Sequence, residues 1–226
     1  MNGERGIEIK DLTKIYTIDG EAMKAVDSVS FAVNRGEMVS IIGHSGSGKT
    51  TLLSLIGGLT KPDSGQVIID GVNLWSMTDD SLSEFRNKKI NFIYQFSSLI
   101  PTLTTIENVL LPTAFGSHQN DADGYARELI GVVGLQDKIA SYPSHLSGGQ
   151  QRRVAIARAF INRPDIILAD EPTGDLDEAT EKEVIDLFHR MNEDKGITFI
   201  IVTHNKEIAA QAKRQFKMTN GILSPI

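Results

Sequence analysis

A chain of 226 residues, 40% hydrophobic and 23% charged, can bury roughly 70% of its unfolded surface in one core without staples, so collagen-like, disordered and disulfide-scaffold classes are excluded. It contains no cysteine, which removes thiolate zinc sites, disulfides and cysteine nucleophiles. With 23 basic and 29 acidic residues the net charge is −6, which argues against a dedicated nucleic-acid binder, and no nucleic-acid partner is expected.

In chain order, the opening MNGERGIEIK carries both charge signs and no apolar centre, so no secretory signal is expected. GIEIKDLTKIYTIDG and KAVDSVSFAV, broken by an Asp-Gly pair and an Asn-Arg-Gly turn, predict antiparallel strands between Ile7 and Phe31. MVSII then predicts a buried strand, followed by a glycine-rich turn and a helix over TTLLSLIGGL, the parts of an α/β unit. A turn at Pro62 to Gly65 precedes the strand QVIIDG. From Leu82 to about Phe160 the pattern is mostly helical, with breaks at Pro101, Pro112 and Pro143. The last third alternates again: DIILAD as a strand, Thr180 to Met191 as a helix, ITFIIVTH as a strand, Lys206 to Lys213 as a helix. The longest apolar runs, such as Thr198 to Val202 and Ile166 to Ala169, fall far short of the roughly 20 residues of a spanning helix. The expectation is one α/β domain over 1–226, with an antiparallel β part at the N-terminus and a helical insertion at about 88–160, residing in the cytoplasm.

Residues Gly43 to Thr50, GHSGSGKT, fit G-x4-G-K-[ST] directly after a strand and before a helix. The glycines at 43, 46 and 48 let the backbone aim its N–H groups inward, and the helix N-terminus adds partial positive charge. Phosphate is the natural guest, with Lys49 reaching the β- and γ-phosphates and Thr50 ligating Mg²⁺, as in a P-loop NTPase core. A glycine-rich turn with a solvated lysine is the competing reading. IILAD ends a strand on Asp170, on the side of an open α/β sheet where ligands bind, so Asp170 would hold Mg²⁺ and Glu171 would deprotonate an attacking water. LSGGQ, Leu146 to Gln150, precedes the helical QRRVAIARAF, with Ser147 as a cap, and forms a second anion-binding helix start.

The combination of GHSGSGKT, Gln95, LSGGQ, ILADE and His204 resembles the ATP-binding cassette (ABC) ATPases over essentially the whole chain. The resemblance implies a RecA-like P-loop core and a head-to-tail homodimer that sandwiches two ATP molecules. It implies that Gly43, His44, Ser45, Gly46, Ser47, Gly48, Lys49, Thr50 and Thr51 hold the phosphates. Ser147, Gly148, Gly149 and Gln150 would act on the partner copy's nucleotide. Tyr16 would stack on adenine, unless it packs on the sheet instead. Gln95 would sense metal and water at a hinge, joining Thr50 and Asp170 at Mg²⁺, and His204 would hydrogen-bond the γ-phosphate. Catalysis would rest on Glu171, His204, Gln95 and Lys49. Asp175 to Asp177 in TGDLD resembles the loop that crosses the dimer interface, with Asp175 where relatives commonly have asparagine.

The FIYQF…LIP…T…ENV…LP run and the TGDLD form are similar to ATPases of the lipoprotein-releasing and macrolide-efflux type. That similarity implies integral membrane permease subunits docking near the Gln95 loop and a peripheral place on the cytoplasmic face of the membrane. The cargo would be a lipoprotein, a lipid or a drug-like molecule; mechanical signalling without transport is the alternative. Phe96, Leu99, Ile100 and Leu103 either line the docking groove or pack inside the helical part. Arg152, Arg153, Arg158 and Arg163 read as a solvated helix face with interface contacts, rather than as a nucleic-acid patch. His44, His118, His145 and His189 show no metal-ligand pattern. A small-molecule kinase would share the phosphate loop but leave LSGGQ unexplained.

Overall fold

The computed structural model describes residues 5–18, 20–115, 121–174 and 176–226. Asp19 of the first turn, His118 and Asp175 lie outside the described residues. The chain builds two sheets. The smaller is antiparallel, in the order β2-β1-β4-β5, from β1 (Arg5–Ile18), β2 (Glu21–Asn34), β4 (Ser64–Ile69) and β5 (Val72–Asn73). The larger, in the order β10-β9-β3-β8-β7-β6, comprises β3 (Met38–Ile42), β6 (Ile90–Ile93), β7 (Ile166–Asp170), β8 (Thr198–Thr203), β9 (Arg214–Thr219) and β10 (Ile222–Pro225). All its neighbouring pairs are parallel except the edge pair β9 and β10.

The continuous apolar runs of β7 and β8 follow from burial on both faces of this sheet. Because side chains alternate along a strand, Ile167, Ala169, Phe199 and Ile201 join one core with α5 (Gly148–Phe160) and α6 (Glu178–Lys195). Ile166, Leu168, Ile200 and Val202 join the other with α1 (Lys49–Ile56) and the inner face of the small sheet. The expected α/β class, with its antiparallel N-terminal part, is what the structure contains. Among the described residues no helix is long and apolar enough to cross a membrane.

Two stretches differ from expectation. Residues 82 to 160 are not continuously helical: α2 (Asp79–Lys89) runs into β6, a strand of the large sheet, and helices resume at α3 (Thr105–Leu110), α4 (Ala122–Val132) and α5. Four residues, INFI, are too few to display a strand period beside a helix. At the C-terminal end, α7 covers only Lys206–Ala209, and β9 and β10 form a hairpin. Its two-residue turn, Asn220 and Gly221, has φ of 48° and 81°, the doubly positive pair that a tight hairpin turn requires. The Asn-Gly step between alternating residues was the readable signal.

In a parallel sheet the carboxyl ends of the strands share one edge, where α/β proteins bind ligands. The phosphate loop leaves β3 there, Gln95 follows β6, Asp170 ends β7 and His204 follows β8. The helices α3, α4 and α5, which separate β6 from β7 in the chain, pack on one another.

Candidate nucleotide site

A cleft of about 650 Å³ opens at that edge, lined by Tyr16, Met23, Ala25, His44, Ser45, Gly46, Gly48, Lys49, Thr50, Thr51, Gln95, Asp170, Glu171 and His204. The loop's shape depends on its glycines. A Cβ on Gly43 would lie 2.5 Å from the Met218 carbonyl, and one on Gly48 2.0 Å from that of Ala25. Gly48 also has φ of 102° and caps α1 with no side-chain hydrogen bond, and no acidic residue occupies the first turn. The free N–H groups of this helix start therefore face an anion site. Lys49 is buried, and its Nζ donates to the carbonyls of Gly43 at 2.8 Å and His44 at 2.9 Å, holding the charge against the loop. The hairpin turn braces the loop from behind, with Gly221 N donating to Ser47 O at 3.0 Å. Ser47 is itself buried and is not among the residues lining the cleft.

At the metal end, the Thr50 hydroxyl donates to Asp170 Oδ2 at 2.7 Å. Burial raises the Asp170 carboxyl above its ordinary pKa, aided by the Glu171 charge and opposed by the Thr50 hydrogen bond and the charges of Lys49 and Arg152. A cation there would reverse that penalty. Hydroxyl, carboxylate and the Gln95 amide are hard oxygen donors, which fits Mg²⁺ completing its shell with water and phosphate oxygens. No cluster of three or more His, Cys, Asp or Glu side chains suited to a metal occurs among the described residues.

Glu171 is held from several sides. Its φ of 46° is left-handed, a conformation costing a non-glycine residue about 1–3 kcal/mol unless its surroundings impose it. Its N–H donates to Val202 O at 2.9 Å, and its carbonyl accepts from Gly174 N at 3.1 Å and Arg152 Nη2 at 2.5 Å. On the carboxylate, Oε2 accepts from the Thr203 hydroxyl at 2.8 Å, while Oε1 lies 2.9 Å from His204 Nδ1. His204 is thus brought to Glu171, and Thr203 emerges as an orienting residue that the sequence reading missed. It lay in the run IIVTH, hidden as the last β-branched residue of a strand.

Tyr16 is 37% exposed and lines the cleft, opposite Met23 across the β1–β2 ladder. Gln95 lines both this cleft and a neighbouring groove of about 390 Å³ shared with Phe96, Leu99, Gly148 and Arg152. Near it in the chain Tyr94, Phe96 and Ile100 are exposed, whereas Leu99 packs against the core and Leu103 is half-buried. Leu99 thus follows the packed reading, while Phe96 and Ile100 stay at the surface.

None of Leu146 to Gln150 lines the phosphate cleft. Ser147 and Gly148 are exposed, and Ser147 closes a capping box: its Oγ accepts from Gln150 N at 3.2 Å, and Gln150 Oε1 accepts from Ser147 N at 2.9 Å. The arginines behind this start do not form one solvated face. Arg152 is 3% exposed and donates to backbone carbonyls, Arg158 donates to Ser97 O and Ser98 O, and Arg153 donates to Val133 O. Arg163 is exposed beside the Tyr125 ring. Backbone carbonyls hold the buried Arg152 guanidinium, which a helical pattern alone does not reveal.

A phosphate loop on a mixed sheet, with strand-end carboxylates facing it, defines a P-loop nucleoside triphosphatase. The family model described as "ABC transporter" matches residues 26–174, and the chain belongs to that family as an ATP-binding, ATP-hydrolysing cassette. It is 42% identical over 223 residues to the lipoprotein-releasing system ATP-binding protein LolD of Bordetella avium, covering 98% of this chain and 97% of that protein. It is 41% identical over 222 residues to the macrolide export ATP-binding/permease protein MacB of Syntrophobacter fumaroxidans, covering 97% of this chain but only 31% of that protein. Among solved structures, it resembles a dimeric post-hydrolysis state of the ATP-binding cassette MJ0796 bound to ADP and Pi, with a TM-score of 0.90, 40% identity and 96% of each chain covered.

Proposed function

We propose that this chain is the ATP-driven subunit of a membrane transporter and works as a head-to-tail pair. Two ATP molecules are held between the phosphate loop of one copy and Ser147, Gly148, Gly149 and Gln150 of the other. The observation that carries this reading is the division of the anion-binding parts: Lys49, Thr50, Gln95, Asp170, Glu171 and His204 share one cleft, and exposed Ser147 and Gly148 lie outside it. The dimeric MJ0796 structure with ADP and Pi supports it.

Phosphoryl transfer to water gains its rate from positioning and electrostatics. The loop amides from Gly43 to Thr51 and the Lys49 ammonium would bind the phosphate oxygens, and Tyr16 would offer its ring face to adenine. Glu171 would take the proton of the attacking water, with its carboxylate aimed by Thr203 and His204. Mg²⁺ would be held by Thr50 and Asp170 with Gln95, and when bound would supply positive charge at the phosphate oxygens. Loss of the γ-phosphate removes the group bridging both copies, which loosens the pair.

The exposed Tyr94, Phe96 and Ile100 support docking of integral membrane permease subunits near Gln95, with the chain peripheral on the cytoplasmic face of the membrane. The likeness to the lipoprotein-releasing and macrolide-export proteins supports a lipoprotein, lipid or drug-like cargo. Glu171→Gln is expected to slow phosphate release by about 10²- to 10⁴-fold, the scale of a general base. A variant that releases phosphate at the unaltered rate would remove Glu171 from that role.

A further inference from the structure

Two arginines of helix α5, Arg152 and Arg158, donate to carbonyls of the loops that follow β6 and β7. Arg152 donates through Nε to Pro172 O at 2.7 Å, through Nη2 to Glu171 O at 2.5 Å, and through Nη1 to Tyr94 O. Arg158 donates to Ser98 O and Ser97 O, each at 2.9 Å. A guanidinium presents its donors in a rigid plane, so three carbonyls fix its orientation and it fixes theirs.

The places of these carbonyls matter. Tyr94 immediately precedes Gln95, and the β6–β7 ladder ends at the pair Ile93 and Ala169. Past that pair, Arg152 is hydrogen-bonded to both departing loops at once. Glu171 holds a left-handed backbone, so the direction of its carbonyl and that of its carboxylate are set together. Arg158 fixes the next carbonyls of the Gln95 loop to the same helix, the one that begins at Ser147.

We propose that Arg152 is a positioning residue that ties the Tyr94–Leu99 loop to the backbone of Glu171, so that a displacement of that loop re-aims the carboxylate. The proposal rests on the role of Glu171 as base. It makes the loop that carries the exposed Tyr94 and Phe96 a mechanical input to the water-activating group, with Arg152 as the joint.

The test combines Arg152→Gln and Arg152→Lys with Glu171→Gln, in the full chain. Arg152→Gln should lower kcat by about 10- to 100-fold, the scale of a misplaced reacting group. KM and the affinity for a fluorescent ATP analogue should stay within about threefold. Arg152→Lys should recover part of the rate. In the Glu171→Gln background, Arg152→Gln should cost less than about twofold more, because nothing is left to position. An unaltered kcat, a loss confined to KM, or a full loss multiplied onto Glu171→Gln would each overturn the tie. A slow Glu171→Gln beside a fully active Arg152→Gln sinks the tie alone, whereas a fully active Glu171→Gln sinks the base assignment and the tie with it. Hydrogen exchange on the unsubstituted chain depends on no variant folding. Segments 94–98 and 170–174 should gain protection together as a non-hydrolysable ATP analogue is added, and protection confined to one segment contradicts the proposal.

Discussion

The helix starts at Gly48 and Ser147 are built on opposite plans. Helix α1 is capped by Gly48, which offers no side chain to its own N–H groups and leaves them facing the cleft. Helix α5 is capped by Ser147 and Gln150, which satisfy each other's backbone donors. One start is incomplete without an anion; the other is content in solvent. The difference suits a division of labour in which the first captures nucleotide in a single copy, while the second stays stable and exposed until a nucleotide held elsewhere is offered to it. Its cap is modest in strength, about 1 kcal/mol for such a serine, and the hydroxyl can be shared with a phosphate at little cost.

Substitutions that exchange these properties should break the comparison. The largest effect is expected from Ser147→Arg, which puts bulk and charge on the exposed start. Steady-state hydrolysis should fall by more than about 10²-fold, the scale of losing a transition-state contact, while equilibrium dialysis shows unaltered ATP binding to the single chain. Loss of that binding would mean that α5 serves its own cleft. Next is Gly48→Ala, which adds a Cβ 2.0 Å from Ala25 O at φ of 102°. It should cost at least about 2 kcal/mol in denaturant unfolding, from backbone strain alone. It should also abolish nucleotide binding, and a stable variant that still binds would show that the loop's shape is not held by this residue. The smallest effect is expected from Tyr16→Ala, which should weaken ATP binding by about 1–3 kcal/mol, the worth of one stacked base. Triphosphate alone should bind equally to both forms, and an unaltered ATP affinity would return Tyr16 to the sheet.

What was legible in the sequence follows the same divide. GHSGSGKT after MVSII and LSGGQ before QRRVAIARAF could be read because helix starts announce themselves through glycines and caps at fixed offsets. Asp170 and Glu171 were readable because a strand ended on them. Strand β6 was not, since four residues between a helix and a loop carry no period, and the hairpin at Asn220 and Gly221 was overlooked although its turn chemistry was present. Arg152 was misread for a deeper reason. Its partners are the carbonyls of Tyr94, Glu171 and Pro172, and a carbonyl belongs to every residue type, so no sequence pattern marks it as an acceptor. The Thr203 contact to Glu171 was missed because a strand threonine normally signals only β-propensity.

The pairing of the two helix starts across two copies is tested most directly by sedimentation velocity on Glu171→Gln, where bound ATP persists. The account predicts a single chain without nucleotide, a two-chain species with ATP, and a return to the single chain when Ser147→Arg is added. A Glu171→Gln protein that remains a single chain at saturating ATP would contradict it.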